Sequence, residues 1–313
     1  LDTSFVTIAE ALKKKGYYNG IIGKWHLGDG VYSPENQGFD FSIWGMSPYY
    51  YPWKGLWGRE IKGLGLEDGE PGDYLTDKYT EKAVKFIERN KDKPFFLFLS
   101  HFAVHLPLEA KPAVIQKYRK KVQYKDNLPQ GKQDNPVYAA MIESLDYGVG
   151  VVNRKLEELR LSDNTIVIFY SDNGGFSLVT SNKPLRGSKG NLYEGGIRVP
   201  LIIKWPDTIQ SGTVSHEPVI GTDIYPTLLD ITGISLNDYP LDGNSILPLL
   251  NGQKHSLDRA IYWYYPNYLE TYDSAYYEKW GLMDRMKLNR AGRIKQDSAI
   301  EARPSDVYPA YRL

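Results

Sequence analysis

Apolar residues recur along the chain in short runs, and several of these runs stop at clusters of chemically capable polar side chains. The pair Ile21-Ile22 leads into Gly23-Lys24-Trp25-His26-Leu27-Gly28. Read as a strand with a period of two, this stretch sends Lys24 and His26 to one face and Trp25 to the other. Phe95 to Leu99 follows Pro94 without alternation, which predicts a strand buried on both faces, the habit of a parallel sheet with helices on each side. It closes in a turn, Ser100 to Leu108, that carries His101 and His105. Thr165 to Tyr170 is a β-branched and aromatic run ending in Ser171-Asp172-Asn173-Gly174-Gly175. A further strand is expected from Val199 to Ile203, after a segment dense in glycine and cations.

Helical periods fill the spaces between these runs. Phe5, Ile8 and Leu12 mark a helical face that ends near Gly16. Thr76 is expected to cap a helix through Arg89, with Tyr79, Ala83, Phe86 and Ile87 inward. Asn135 before Pro136 predicts a helix start, with Met141, Leu145, Val149, Val152, Leu156 and Leu159 as its buried stripe. Lys111 to Lys132 reads as a solvated helix plus loop. Residues 29 to 73 show no steady period and include an aromatic cluster, Trp44 to Trp53, read as a loop packing its own aromatics, with stacking on sugar rings as the second reading. Ser274 to Arg290 has helical composition, and Ala291 to Leu313 shows no strand alternation. The order of elements is that of an α/β protein.

Composition narrows the function classes. Lys+Arg and Asp+Glu balance at 38 each, so no net field argues for nucleic acid or an anionic membrane as partner. The chain has no cysteine, which excludes disulfides and thiolate metal sites. No apolar run is long enough to span a bilayer. A length of 313 residues suits one large domain, or one with a small annex.

The polar clusters suggest chemistry on an oxyanion. A fixed cation beside a titratable ring, as at Lys24 and His26, suits binding an anion and moving a proton near it. His101 and His105 fall beyond the carboxyl end of a strand, where ligands bind in open α/β sheets. Asp172 and Asn173 offer hard oxygens, suited to Ca²⁺ or Mg²⁺. Pro184 to Pro200 holds Arg186-Gly187-Ser188-Lys189-Gly190, in which glycines allow close backbone approach to a tetrahedral oxyanion and Lys189 supplies a point charge. Its spacing is not that of a P-loop. Taken singly, each segment also reads blandly, as a solvated strand face, a structural histidine, an ordinary turn and a surface loop.

The four segments in this order resemble the type I, formylglycine-dependent sulfatases of the alkaline-phosphatase superfamily. The match also takes in Tyr138 to Leu159, Thr222 to Leu229 and Asp242 to Leu250, and so runs from about Thr7 to about Tyr265. The resemblance implies an alkaline-phosphatase-like α/β sandwich, with a large, mostly parallel central sheet flanked by helices and a small truncated or divergent C-terminal region. It divides the chain into a catalytic core at 1–254 and a C-terminal remnant at 255–313. Lys24 and Lys189 would grip the sulfate oxygens, His26 would sit beside the nucleophile, and His105 would protonate the leaving oxygen. Asp172 and Asn173 would ligate a divalent cation, Ca²⁺ or alternatively Mg²⁺. His101 is left behind the site or in contact with substrate, and Val104 stands where many relatives have Pro.

One part of the family pattern does not occur. Its nucleophile is a formylglycine made from Cys or Ser within Cys/Ser-x-Pro-x-Arg, and the 313 residues contain no such motif. The expectation is therefore an N-terminal segment carrying the nucleophile and two more metal ligands, with this chain inactive by itself. The implied activity of the parent is hydrolysis of a sulfate ester on a sulfated carbohydrate, in a periplasmic or secreted protein. The alternatives are a phosphoester or phosphonate hydrolase of the same superfamily, and a catalytically dead glycan-binding protein.

Overall fold

The computed structural model describes residues 3–45, 49, 50, 65, 66, 68–121, 133–253 and 259–265. Most of the aromatic cluster between Trp44 and Trp53, the loop after Lys121 and nearly all of 255–313 lie outside the described residues.

Helix α1 (Ile8–Lys13) opens with a capping box in which Thr7 and Glu10 satisfy each other's backbone amides. Strand β1 (Tyr18–Gly23) follows, then β2 (Phe41–Trp44), α2 (Leu75–Asn90), β3 (Phe95–Ser100), α3 (Pro112–Lys121) and α4 (Pro136–Glu158). Strand β4 (Val167–Tyr170), the short α5 (Glu194–Ile197), β5 (Leu201–Lys204), α6 (Ile224–Ile231) and α7 (Leu247–Leu250) complete the order. Among the described residues β1 lies between β2 and β3 in a parallel sheet, and β4 pairs antiparallel with β5.

β1 is the buried centre, and its alternation sends neighbours to opposite layers. Ile21 joins Ala9, Trp25 and Phe39 on the α1 side, while Ile22 joins the larger cluster under α2 and α4. Gly20 admits the Phe86 ring of α2, since a Cβ there would lie 2.4 Å from it. α4 closes on α2 just as tightly: a Cβ on Gly148 would stand 2.5 Å from Thr80 Oγ1.

Several local expectations change. Strand β2 lies where no period was visible, four residues long and held by parallel pairing to β1. β3 is only half buried, with Phe98 45% exposed, because among the described strands it pairs on one edge alone; the strand enclosed on both faces is β1. Thr76 does not cap α2. It lies inside the helix and is buried, and the first helical amide, Leu75 N, donates to Tyr49 O at 2.7 Å. Asn135 does cap α4, accepting from Val137 N and Tyr138 N at 3.0 and 3.1 Å. The buried stripe of α4 is rotated toward the small residues Ala140, Ser144 and Gly148, which permit the close crossing with α2.

Candidate active site

Four chain segments converge at the carboxyl ends of the strands. The first leaves β1 at Gly23, whose φ of +121° and near-contact with Ser100 O exclude a side chain; a Cβ there would lie 1.8 Å from that oxygen. Lys24 N then donates to Ser100 O at 2.7 Å. Lys24 and His26 therefore stand on a loop past the strand end, not on a strand face, and the left-handed φ of 60° at His26 turns the chain. Trp25 between them is buried edge-on against Phe39 and donates Nε1–H to Tyr32 O at 2.8 Å.

The second segment is the turn after β3. Tyr49, fully buried, directs its hydroxyl between Phe102 O at 3.1 Å and His105 O at 2.9 Å. His105 Nδ1 lies 2.8 Å from Leu106 O. A carbonyl only accepts, so Nδ1 carries the proton and donates it, leaving Nε2 as the nitrogen that gains or loses one. Phe102 neighbours both the cation and the ring, with Lys24 Nζ 6.0 Å and the His105 ring 5.3 Å from its centroid. His101 does not join this group. Its ring lies 6.3 Å from that of Tyr79 on α2, both nitrogens are shielded, and among the described residues neither has a partner.

The third and fourth segments hold each other through their backbones. Gly174 N donates to Gly196 O at 2.9 Å, Lys189 N to Gly175 O at 3.0 Å, and Gly195 N to Arg186 O at 2.6 Å. A Cβ on Gly174 would meet Gly195 O at 1.8 Å, and one on Gly196 would meet Asn191 O at 2.1 Å. At these positions the glycines make room for the chain's own carbonyls, where sequence had suggested room for a bound oxyanion. Asn182, outside every motif singled out from sequence, bridges the two segments by accepting from Gly175 N and donating to Gly175 O and Gly187 O. Arg186 lies 3.8 Å over the Tyr193 ring, which holds it as a scaffold cation.

The electrostatics link these residues into one site. Burial lowers the pKa of His26, and the charges of Lys24 and Lys189 lower it further. Burial likewise lowers that of His105; the Leu106 contact and Asp172 oppose this, while Lys189 and Lys24 add to it. Lys189 is itself lowered by burial and by Lys24 against the pull of Asp172. Lys24 and Lys189 thus act on both histidines, and Asp172 acts on His105 and Lys189. Tyr138 at the start of α4 joins them: burial raises its phenol, and the Asp172 carboxylate adds to the rise. Only its place at the first turn of a capped helix could have marked it in the sequence.

Asp172 and Asn173 adjoin at the end of β4. Asp172 Oδ1 accepts from Asn173 N at 2.9 Å, and Asn173 Nδ2 donates to Gly174 O at 2.9 Å, so the side-chain oxygen of Asn173 is the atom it can offer a cation. These hard donors fit Ca²⁺ or Mg²⁺ in kind but supply a minority of the roughly 6–8 oxygens Ca²⁺ takes. Among the described residues no three His, Cys, Asp or Glu side chains gather into a metal site.

Comparison with known proteins shows what the chain as a whole is similar to. The profile described as Sulfatase matches residues 1–234, and one described as N-sulphoglucosamine sulphohydrolase, C-terminal, matches 188–288. The chain is 32% identical to a sulfatase of Formosa agariphila over 86% of its own length and 58% of the relative's. It is 32% identical to the N-acetylgalactosamine-6-sulfatase of Canis lupus familiaris, over 82% of the chain and 50% of that protein. The crystal structure of Ps i-CgsB in complex with k-i-k-neocarrahexaose superimposes with a TM-score of 0.67 at 31% identity, covering 79% of this chain and 57% of that one. The chain therefore spans about half the length of the curated relatives it matches.

Proposed function

The chain belongs to the sulfatase family, and we propose that its whole protein hydrolyses sulfate esters carried on carbohydrates. The observation that supports this reading most is that two lysines, two histidines and a carboxylate from four distant segments lie close enough to shift one another's charge states. The carbohydrate part is supported by the oligosaccharide in the Ps i-CgsB complex and by the aminosugar sulfatase of dog.

In this reading Lys24 and Lys189 hold the sulfate oxygens, and their charges oppose the negative charge that builds there as the ester breaks. At rest His105 is biased toward its neutral form by burial and by the two lysines. An anionic ester in the pocket offsets those lysines and favours a proton on Nε2. That proton passes to the ester oxygen as its bond to sulfur breaks, so the alcohol leaves neutral. His26 stands beside the nucleophile. Asp172 and Asn173 would hold a divalent cation, Ca²⁺ or Mg²⁺, which supplies Lewis-acid polarisation of the sulfate oxygens when bound. Formylglycine is the nucleophile we assign to the whole protein.

We assign residues 1–254 to the catalytic core and 255–313 to a C-terminal subdomain, and we place the protein in the periplasm or outside the cell. Among the described residues no helix is long and apolar enough to cross a membrane. The test is turnover by the whole protein of an aryl sulfate, an aryl phosphate and a sulfated oligosaccharide. Sulfate release from the first and third supports the reading. Preference for the phosphate would favour a phosphoester hydrolase, and sugar binding without turnover of any substrate would favour a glycan-binding protein.

A further inference from the structure

The turn bearing Asp172 and the loop bearing Lys189 are far enough apart in sequence that something must fix their spacing. We propose that Asn182 is a positioning residue that sets Lys189 against Asp172, and with it the grip on sulfate; this rests on the functional reading above. Asn182 Oδ1 accepts from Gly175 N at 2.9 Å, and its Nδ2 donates to Gly175 O at 2.8 Å. One amide thus pairs with both backbone groups of a single residue, and turning it over would set donor against donor, so its orientation is determined. The same Nδ2 lies 3.4 Å from Gly187 O, two residues before Lys189. Lys189 N then donates to Gly175 O at 3.0 Å, which makes Gly175 the shared anchor of side chain and loop.

Lys189 needs such an anchor. Lys189 is half-buried and feels the like charge of Lys24, and both circumstances favour the ammonium moving out toward water. A long, flexible side chain stays in that place only if its backbone is held there. Asn182 contacts none of the groups assigned to the chemistry, so it acts through the loop.

Two substitutions separate this role from filling space. Asn182→Ala removes all three contacts. Asn182→Asp keeps the size and the acceptor for Gly175 N but turns a second oxygen toward the carbonyls of Gly175 and Gly187. Inorganic sulfate is titrated into the whole protein and its variants by calorimetry, with amide exchange followed at Gly175 and Lys189 by NMR. The expected result is faster exchange at both amides and a loss of sulfate affinity of about tenfold in Asn182→Ala, with Asn182→Asp no better. Once Lys189→Ala is present, adding Asn182→Ala should cost nothing further, the mark of one residue acting through another. Additive losses, a wild-type-like Asn182→Asp, or unchanged exchange would each overturn the proposal. If the unsubstituted whole protein does not bind sulfate, the functional reading fails instead, and exchange at the two amides decides the clamp by itself.

Discussion

His101 stands at the carboxyl end of β3 with a ring that has nowhere to put a proton, and this makes a measurable prediction. Burial pulls its imidazole from 6.5 down to about 4. In the unfolded chain the ring accepts a proton near its ordinary value, while in the folded chain it resists, so protonation favours unfolding. The folded state is therefore fully favoured above about pH 6.5 and loses stability as pH falls toward about 4. Across that whole window the loss is about 3 kcal/mol, of which about 2 kcal/mol falls between pH 7 and pH 5. His101→Phe keeps a flat ring against Tyr79 and removes both nitrogens. Urea unfolding of chain and variant at the two pH values isolates the effect, because every other titrating group is common to both. The acid-induced loss should be smaller in the variant by about 2 kcal/mol. At pH 7 the variant should be at least as stable, since two shielded, unpartnered nitrogens are gone. Equal losses on acidification in both proteins would refute the reasoning and mean that the folded ring finds water or a partner.

Three further outcomes are expected. Arg259→Met strips the guanidinium, at 2.6 and 2.5 Å, from the fully buried Asp223 and should cost about 3–5 kcal/mol in urea unfolding. Burial raises the pKa of Asp223, but Arg259 and the amides of Ile220 and Asn244 outweigh it and hold the carboxyl low. Stability from that pair is present above the ordinary carboxylate range and lost as pH falls through the lowered value, so the variant should show a shallower acid loss; a cost below about 1 kcal/mol would contradict this. In the whole protein, His105→Ala should lower kcat/KM for a sugar sulfate by about 10²–10⁴-fold and for an activated aryl sulfate far less, while Lys189→Ala depresses both; equal losses on the two substrates for His105→Ala would make it a binding residue. Ca²⁺ titrated into this chain should reveal no submicromolar site in calorimetry, because Asp172 and Asn173 provide two of the roughly 6–8 oxygens needed.

What could be read from sequence was local. The apolar runs matched β1, β3 and β4, and each is followed by polar side chains that act on one another electrostatically. The capping of α4 by Asn135 was equally plain, because cap chemistry involves only neighbours in the chain. What depended on partners elsewhere was hidden. β2 is too short to declare a period and exists by pairing with β1. The helix start before Thr76 depends on a carbonyl of Tyr49, distant in sequence. The half-exposure of Phe98 follows from which edges are paired, and an apolar run looks the same at the centre of a sheet and at its margin. Asn182 carried no signal at all, since a polar residue before Lys183-Pro184 reads as an ordinary turn.

The contact between Gly174 and Gly195 also bears on how such a site can diversify. Two backbones meeting without intervening side chains leave no knob to adjust: any substitution at Gly174 would strike Gly195 O. The turn and the loop are therefore inherited as one rigid piece, and neither can be remodelled without the other. Variation on this loop has to enter where side chains reach solvent, as at Lys183. A library that randomises Lys183 should keep folding, whereas one built on the glycines should return mostly unfolded chains.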